Sequence, residues 1–179
     1  IPVALFTLGN ASDLFLLLKV QAVGASLLGL ALLWSAFAAV KVLGALLGGP
    51  LADRLGARAA ISLGWAWYGI IYLAFAYAGS LKAMVLIFLA YGLFHGFSEG
   101  PQKALVGSLA PEKLKATCFG WLGLTTGILA LPAGLLFGGL WEWRGPGLAF
   151  SVGAALALGG LALLWLAPSA PPAGAGAQR

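Results

Sequence analysis

Ten residues, Gly49-Pro50-Leu51-Ala52-Asp53-Arg54-Leu55-Gly56-Ala57-Arg58, divide two long apolar runs. Upstream, residues 27–49 carry one charge, Lys41; downstream, residues 59–79 carry none. Each run is long enough to cross about 30 Å of hydrocarbon as an α-helix rising ~1.5 Å per residue. A short link between two such runs has to turn at a membrane surface, and its two arginines favour the cytoplasmic side. The expected turn is a tight polar hinge beginning at Gly49-Pro50.

The rest of the chain obeys the same constraint. Of its 179 residues 61% are hydrophobic and 8% charged, against roughly 25% charged in soluble domains. A water-soluble fold is excluded on that ground. A membrane β-barrel needs short segments of alternating polarity, whereas these apolar runs are continuous and rich in Leu, Ala and Gly. The expected class is all-α, a polytopic bundle of six transmembrane helices in a lipid bilayer. In such a chain the net charge of +5 reads as a cytoplasmic bias of the loops, and no nucleic-acid partner is expected. The one cysteine, Cys118, lies in an apolar run and is expected to pack as a small buried residue. The chain starts Ile1-Pro2 and its one methionine is Met84, so it is expected to be part of a longer polypeptide.

Apolar runs between polar breaks place the spans at 3–25, 27–49, 59–79, 82–106, 116–140 and 146–167. The breaks carry turn residues: Gly24, Gly49-Pro50, Gly79-Ser80, Pro111-Glu112 and Gly145-Pro146-Gly147. Residues 1–167 thus form the bundle. Residues 168–179, mostly Pro, Ala and Gly with nothing apolar to bury, are expected to be a disordered tail. Orientation follows from Lys and Arg in alternate connections. One side receives Arg54, Arg58, Lys113, Lys115 and Arg179, the other Lys82 and Arg144. Both ends of the segment are therefore expected in the cytoplasm, in a plasma (inner) membrane. Trp141 and Trp143 sit where interfacial rings would anchor the outer end of the fifth span.

Gly49, Asp53, Arg54, Gly56 and Arg58 occupy every fixed position of Gly-x-x-x-Asp-Arg-x-Gly-x-Arg. That string resembles the signature loop of the major facilitator superfamily of transporters. Leu8-Gly9-Asn10-Ala11-Ser12-Asp13 resembles the start of that family's second half. Glu99-Gly100-Pro101-Gln102-Lys103-Ala104-Leu105-Val106, followed by Pro111-Glu112-Lys113, resembles the fourth helix of a half and its following loop. The fifth span, with Gly120, Gly123, Gly127 and Pro132, has the glycine-rich character expected there. Such transporters have two six-helix halves, so the resemblance implies a C-terminal half whose partner is the missing N-terminal half of the same polypeptide. It also implies that the third and sixth helices face lipid while the others line a cavity. In the signature loop it implies charge contacts that hold one conformation and break during alternation. The distribution of charge agrees: the third and sixth spans contain no Asp, Glu, Lys, Arg or His.

Charges within spans are costly and mark function or structural pairing. At ~100° per residue, Thr7, Asn10, Asp13 and Gln21 fall on one arc of the first span, with Lys19 opposite. Asn10 and Asp13 either face a water-filled cavity or tie the helix to a neighbour, and Lys19 reads as a snorkelling side chain. Lys41, near the midpoint of the second span, needs a carboxylate partner or has to be neutral. Asp13 is the nearest candidate by depth. In the fourth span Tyr91, His95, Glu99 and Lys103 recur every four residues, with Ser98 and Gln102 on the same broad face. His95 is suited to passing protons. Glu99 either works with it or pairs with Lys103 one turn on. Gly44 and Gly48, and Gly92, Gly96 and Gly100, read as surfaces for close helix approach.

The expected function is secondary active transport of a small solute by alternating access, coupled to an ion gradient, with protons the default. The substrate and ion pathway would comprise Asn10, Asp13, Lys41, Tyr91, His95 and Glu99. No cofactor is expected, and two ligands at His95 and Glu99 fall short of a zinc shell. The alternatives are a membrane scaffold or sensor that kept the fold, and an intramembrane enzyme. The second is disfavoured because His95 has no matched nucleophile motif. The orientation has a direct check. In a Cys118→Ala background, single cysteines at Ala57 and Ala116 should react only from the cytoplasmic face, and one at Ser80 only from outside. Reaction of the Ala57 position from outside in sealed, right-side-out vesicles would reverse the topology.

Overall fold

The computed structural model describes residues 1–166. The expected tail at 168–179, with Arg179, lies outside the described residues. Seven α-helices form six membrane-length spans: α1 (Pro2–Gly9) and α2 (Asp13–Ala22), α3 (Leu27–Leu55), α4 (Ala57–Tyr77), α5 (Leu81–Leu109), α6 (Lys115–Arg144) and α7 (Pro146–Leu166). A single 3-10 turn, Glu112–Leu114, leads into α6, and no strand occurs among the described residues. Serines start three of the helices by accepting a bond from an orphan backbone N–H. Ser12 takes the amide of Leu14, Ser26 that of Gly29 and Ser80 that of Ala83. The connections are short, and three of them turn on glycines with positive φ, Gly24 at 106°, Gly56 at 83° and Gly145 at 86°.

Two expectations about these elements change. The polar decapeptide is not a hinge at Gly49-Pro50, because α3 continues through Pro50 to Leu55 and Gly56 alone makes the reversal. Pro50 removes one intrahelical donor, but the residue is exposed and the flanking turns hold their helical bonds. The left-handed angle needed to reverse the chain is available without strain only at a glycine. The first span, in contrast, is not one helix. It breaks over Asn10–Ser12, where a C-terminal stop signal (Gly9-Asn10) abuts an N-cap (Ser12). The single polar arc through Thr7, Asn10, Asp13 and Gln21 therefore does not exist. Gln21 is exposed on α2, while Thr7 is buried on α1 and bonded to the Val3 carbonyl.

The most extensive pairing is α3 against α5, and glycine makes it possible. A Cβ on Gly96 would fall on the carbonyl of Gly44 and 2.6 Å from the Ala45 nitrogen. A Cβ on Gly48 would fall on the carbonyl of Gly96, and one on Gly44 would lie 3.2 Å from the Leu93 Cα. Without side chains the two backbones meet directly, the favoured way for helices to associate where lipid removes the hydrophobic drive. Gly100, one turn further on, has no atom near its Cβ position.

Around this seam lies an aromatic core contributed mainly by α4 and α5. Phe6 stacks on Trp65 at 4.5 Å, Tyr68 on Tyr72 at 4.0 Å, and Tyr91 lies between Phe37 and Phe94, each 5.6 Å away. Polar groups at the helix ends are tied down as well. Lys19 is buried rather than snorkelling: its Nζ donates to the carbonyls of Phe75 and Ala76 at the end of α4. At the other end of α4, Arg58 donates to the Leu164 carbonyl, and its guanidinium lies 5.2 Å from the Trp165 ring. Trp165 Nε1 donates to Ser62 Oγ at 2.9 Å. Cys118 is half-buried rather than buried. The helices least covered by their neighbours are α3 and α6, whose exposed side chains include Leu32, Leu43, Leu46, Leu124, Ile128 and Leu131.

The seam makes a sharp expectation about stability. Gly96→Ala places a methyl on fixed backbone and should cost about 1–3 kcal/mol, the usual penalty of overpacking. Gly100→Ala meets no atom and should stay within about 0.5 kcal/mol of the parent. Denaturation of the purified protein in mixed micelles checks the pair. Equal stability of the two variants would show that the seam is not as tight as drawn.

Candidate functional site

The break in the first span positions the site. With α2 restarting at Asp13, that carboxylate occupies the first turn of a helix, where the positive end of the dipole favours negative charge. Tyr91, completely buried on α5, donates its hydroxyl to Asp13 Oδ1 at 2.8 Å. On the other side of the break, Tyr68 of α4 donates to the Gly9 carbonyl at 2.9 Å. The Asn10 amide is satisfied by the carbonyls of Phe6 and Thr7. Unpaired backbone is not tolerated within a bilayer unless protein or water satisfies it, and here Tyr68 and one local turn contribute to that.

One turn along α5 from Tyr91 comes His95. Its Nε2 lies 4.0 Å from Asp13 Oδ2, and its Nδ1 lies 2.7 Å from Glu99 Oε1. A single imidazole thus stands between two carboxylates from different helices. Side-chain exposure is 23% for Asp13, 13% for His95 and 57% for Glu99, so the imidazole is the most enclosed of the three and Glu99 the most open. Two cavities flank it. One of about 440 Å³ lies between α1, α5 and α6, with Asn10, His95, Glu99, Gln102 and Lys103 among its lining residues and Thr126 opposite. The other, about 340 Å³, lies between α3 and α5 and is lined by Lys41, Gly49, His95, Glu99 and Lys103. Asp13 and Tyr91 line neither.

Most of the expected pathway residues therefore converge. Asn10, His95 and Glu99 share the larger cavity, Lys41 joins His95 and Glu99 in the smaller one, and Asp13 and Tyr91 form the end of the string that lines neither. The expected partnerships differ, however. Lys41 forms no ion pair with Asp13 among the described residues; its Nζ lies 5.5 Å from the Phe37 ring and within electrostatic reach of Glu99. Glu99 bonds to His95 rather than forming a close pair with Lys103. The α3–α5 seam explains the first change, because it sets Lys41 beside the His95–Glu99 turn and away from α2.

The signature residues lie apart from this site. Gly49, Asp53 and Arg54 are on the exposed last turns of α3, and Gly56 makes the turn. Asp53 and Arg54 have no ion-pair partner among the described residues, whereas Arg58 is engaged with α7. Sequence reasoning missed Tyr68 and Trp65. Trp65 Nε1 donates to Ser98 Oγ at 3.2 Å, and Ser98 also accepts from Gln102 at 2.6 Å. Their signal was present in the spacing of Trp65, Tyr68 and Tyr72, which puts three hydrogen-bonding aromatics on one face of an otherwise apolar helix.

Six membrane-length helices around paired cavities that carry a histidine, a carboxylate and two lysines define a polytopic membrane protein with a polar interior site. Residues 3–179 match the family model described as Major Facilitator Superfamily, and the chain belongs to that superfamily. It is 38% identical over 119 residues to an uncharacterized MFS-type transporter of Methanocaldococcus jannaschii. The aligned stretch is 66% of this chain and 30% of that protein, so the chain spans well under two thirds of its relative.

Proposed function

We propose that this chain is the C-terminal six-helix half of a secondary active transporter that moves a small solute by alternating access, driven by a proton gradient. The observation that carries the reading is the Glu99–His95 bond at the mouth of two cavities, a removable charge held within a membrane-spanning bundle. Such a charge can be loaded from one side and emptied to the other as two halves rock about a midplane site. The uncovered apolar faces of α3 and α6 fit the N-terminal half of the same polypeptide. The arginine-rich turn and the lysines before α6 favour a cytoplasmic location for both ends, in a plasma (inner) membrane. The cavity offers amide, hydroxyl, carboxylate and ammonium groups beside Phe6, Phe94 and Phe119, which suits a small solute with both polar and apolar parts.

Transport reconstituted in proteoliposomes tests the coupling. Glu99→Gln should abolish gradient-driven accumulation while preserving solute exchange, since exchange moves no net proton. Full accumulation by a stable Glu99→Gln protein would remove the coupling role. If removing the Glu99 and Lys103 charges together restored full activity, a structural pair would explain the residue instead.

The motif at the end of α3 acts, in this reading, on the balance of conformations. Asp53→Asn should slow transport severalfold while leaving equilibrium solute binding intact, because a residue outside the cavity shifts populations rather than contacts. Loss of binding in a well-folded Asp53→Asn protein would place Asp53 in the site.

A further inference from the structure

The imidazole of His95 is boxed in by its neighbours. If its one proton sits on Nδ1 and is donated to Glu99, then Nε2 turns a bare lone pair toward a carboxylate 4.0 Å away, and that buried nitrogen has no hydrogen-bond partner. Satisfying both sides needs a second proton. Nε2–H then faces Asp13 while another proton lies between Nδ1 and Glu99. The groups that face this imidazole are few. They are Asp13 from α2, Lys41 from α3, and Tyr91, Glu99 and Lys103 from α5 itself, with Tyr68 and Tyr72 of α4 behind Tyr91. The α6 wall of the cavity, which includes Phe119, Leu122 and Thr126, contributes no ionisable group, and α7 has none.

We propose that His95 is a proton shuttle between two carboxylates: Glu99 is the port open to the cavity, and Asp13, which lines neither cavity, is where the transported proton resides. The inference rests on the reading of this chain as part of a proton-coupled carrier and assigns the residue on which that carrier holds its proton. In the loading step the O–H bond of protonated Glu99 breaks as an N–H bond forms at His95 Nδ1. The N–H bond at Nε2 breaks as an O–H bond forms at Asp13 Oδ2. The imidazole stays neutral and emerges as the other tautomer, Glu99 is left a carboxylate, and one proton has moved from Glu99 to Asp13. Unloading reverses each step. The 4.0 Å gap exceeds a hydrogen bond by about 1 Å, so transfer waits on a small approach of α2 to α5. The break at Asn10–Ser12 permits that approach without moving α1. Proton position and helix position are thereby linked at one residue.

Infrared difference spectroscopy after a downward pH jump, on the full-length protein in liposomes with no solute present, tests the relay. A carboxyl C=O band should rise in the parent and be missing from Asp13→Asn. In His95→Gln the same band should rise on the order of tenfold more slowly or worse, the usual loss when a positioned proton carrier is removed. If Asp13→Asn fails to fold, Asp13→Glu should move the band to a new frequency and identify it equally well. Unchanged kinetics in His95→Gln, or a band that neither Asp13 variant alters, overturns the proposal. Because the measurement needs no solute, an intact relay in a protein that fails the accumulation assay would count against gradient coupling and not against the shuttle.

Discussion

The contact between Gly44 or Gly48 and Gly96 decides where the interior ionisable groups of α3 and α5 can go. Two helices meeting backbone to backbone cannot slide or roll without losing close contacts along their length, because neither has a side chain to adapt. That fixes the rotation of α5, and with it the direction in which Tyr91, His95 and Glu99 project. It also fixes Lys41, three residues before Gly44, at the edge of the same seam. An ammonium at that depth is costly in lipid, and the seam places it over an aromatic ring and beside the cavity that Glu99 shares. The electrostatics of the site therefore follow from a steric fact about glycine.

The second constraint is the interrupted first span. Ending one helix and starting another within a membrane exposes carbonyls and amides that lipid cannot satisfy. The solution here draws on Ser12 and the Asn10 turn locally and on Tyr68 from α4, while Tyr91 from α5 holds the Asp13 side chain. The gain is a carboxylate at a helix N-terminus, held by a phenol, in a place where an unbroken helix would offer only side chains. Asp13 is thus held in place by the start of α2 and by the Tyr91 hydroxyl, within 4.0 Å of the His95 ring.

Much of this was legible in the chain. Span number follows from hydropathy because a membrane demands about twenty apolar residues per crossing. The α5 stripe follows from an (i, i+4) spacing, and the glycine seam from small residues on matching faces. Helix ends were less legible: α3, α5 and α6 each run beyond the apolar core into polar residues, so a reading based on hydropathy stops short of Leu55, Leu109 and Arg144. The break in the first span was written in Gly9-Asn10 and Ser12-Asp13, but the apolar run around it outweighed the local capping signals. Pairings were the least legible part. Depth alone made Asp13 the natural partner of Lys41, and sequence spacing made Lys103 that of Glu99. Only the rotation set by the seam shows His95 taking both carboxylates.

The two walls of the larger cavity divide the work. Its ionisable groups lie on α5, and they are locked to α3 and α2 through the seam and the Tyr91–Asp13 bond. The α6 wall supplies phenylalanine, leucine, glycine and a threonine whose hydroxyl is spent on its own helix backbone. That helix is anchored through Ala133 and Phe137 in its C-terminal half, where Phe137 meets Phe15, Trp141 and Phe150. In its N-terminal half a Cβ at Gly120, Gly123 or Gly127 would meet no neighbouring atom among the described residues. A wall without charge can shift against the cavity without separating any ion pair or stranding a buried charge, the two costs that dominate motion in a low-dielectric interior. Of the two walls, the uncharged one is therefore the one whose displacement would carry the smaller electrostatic cost.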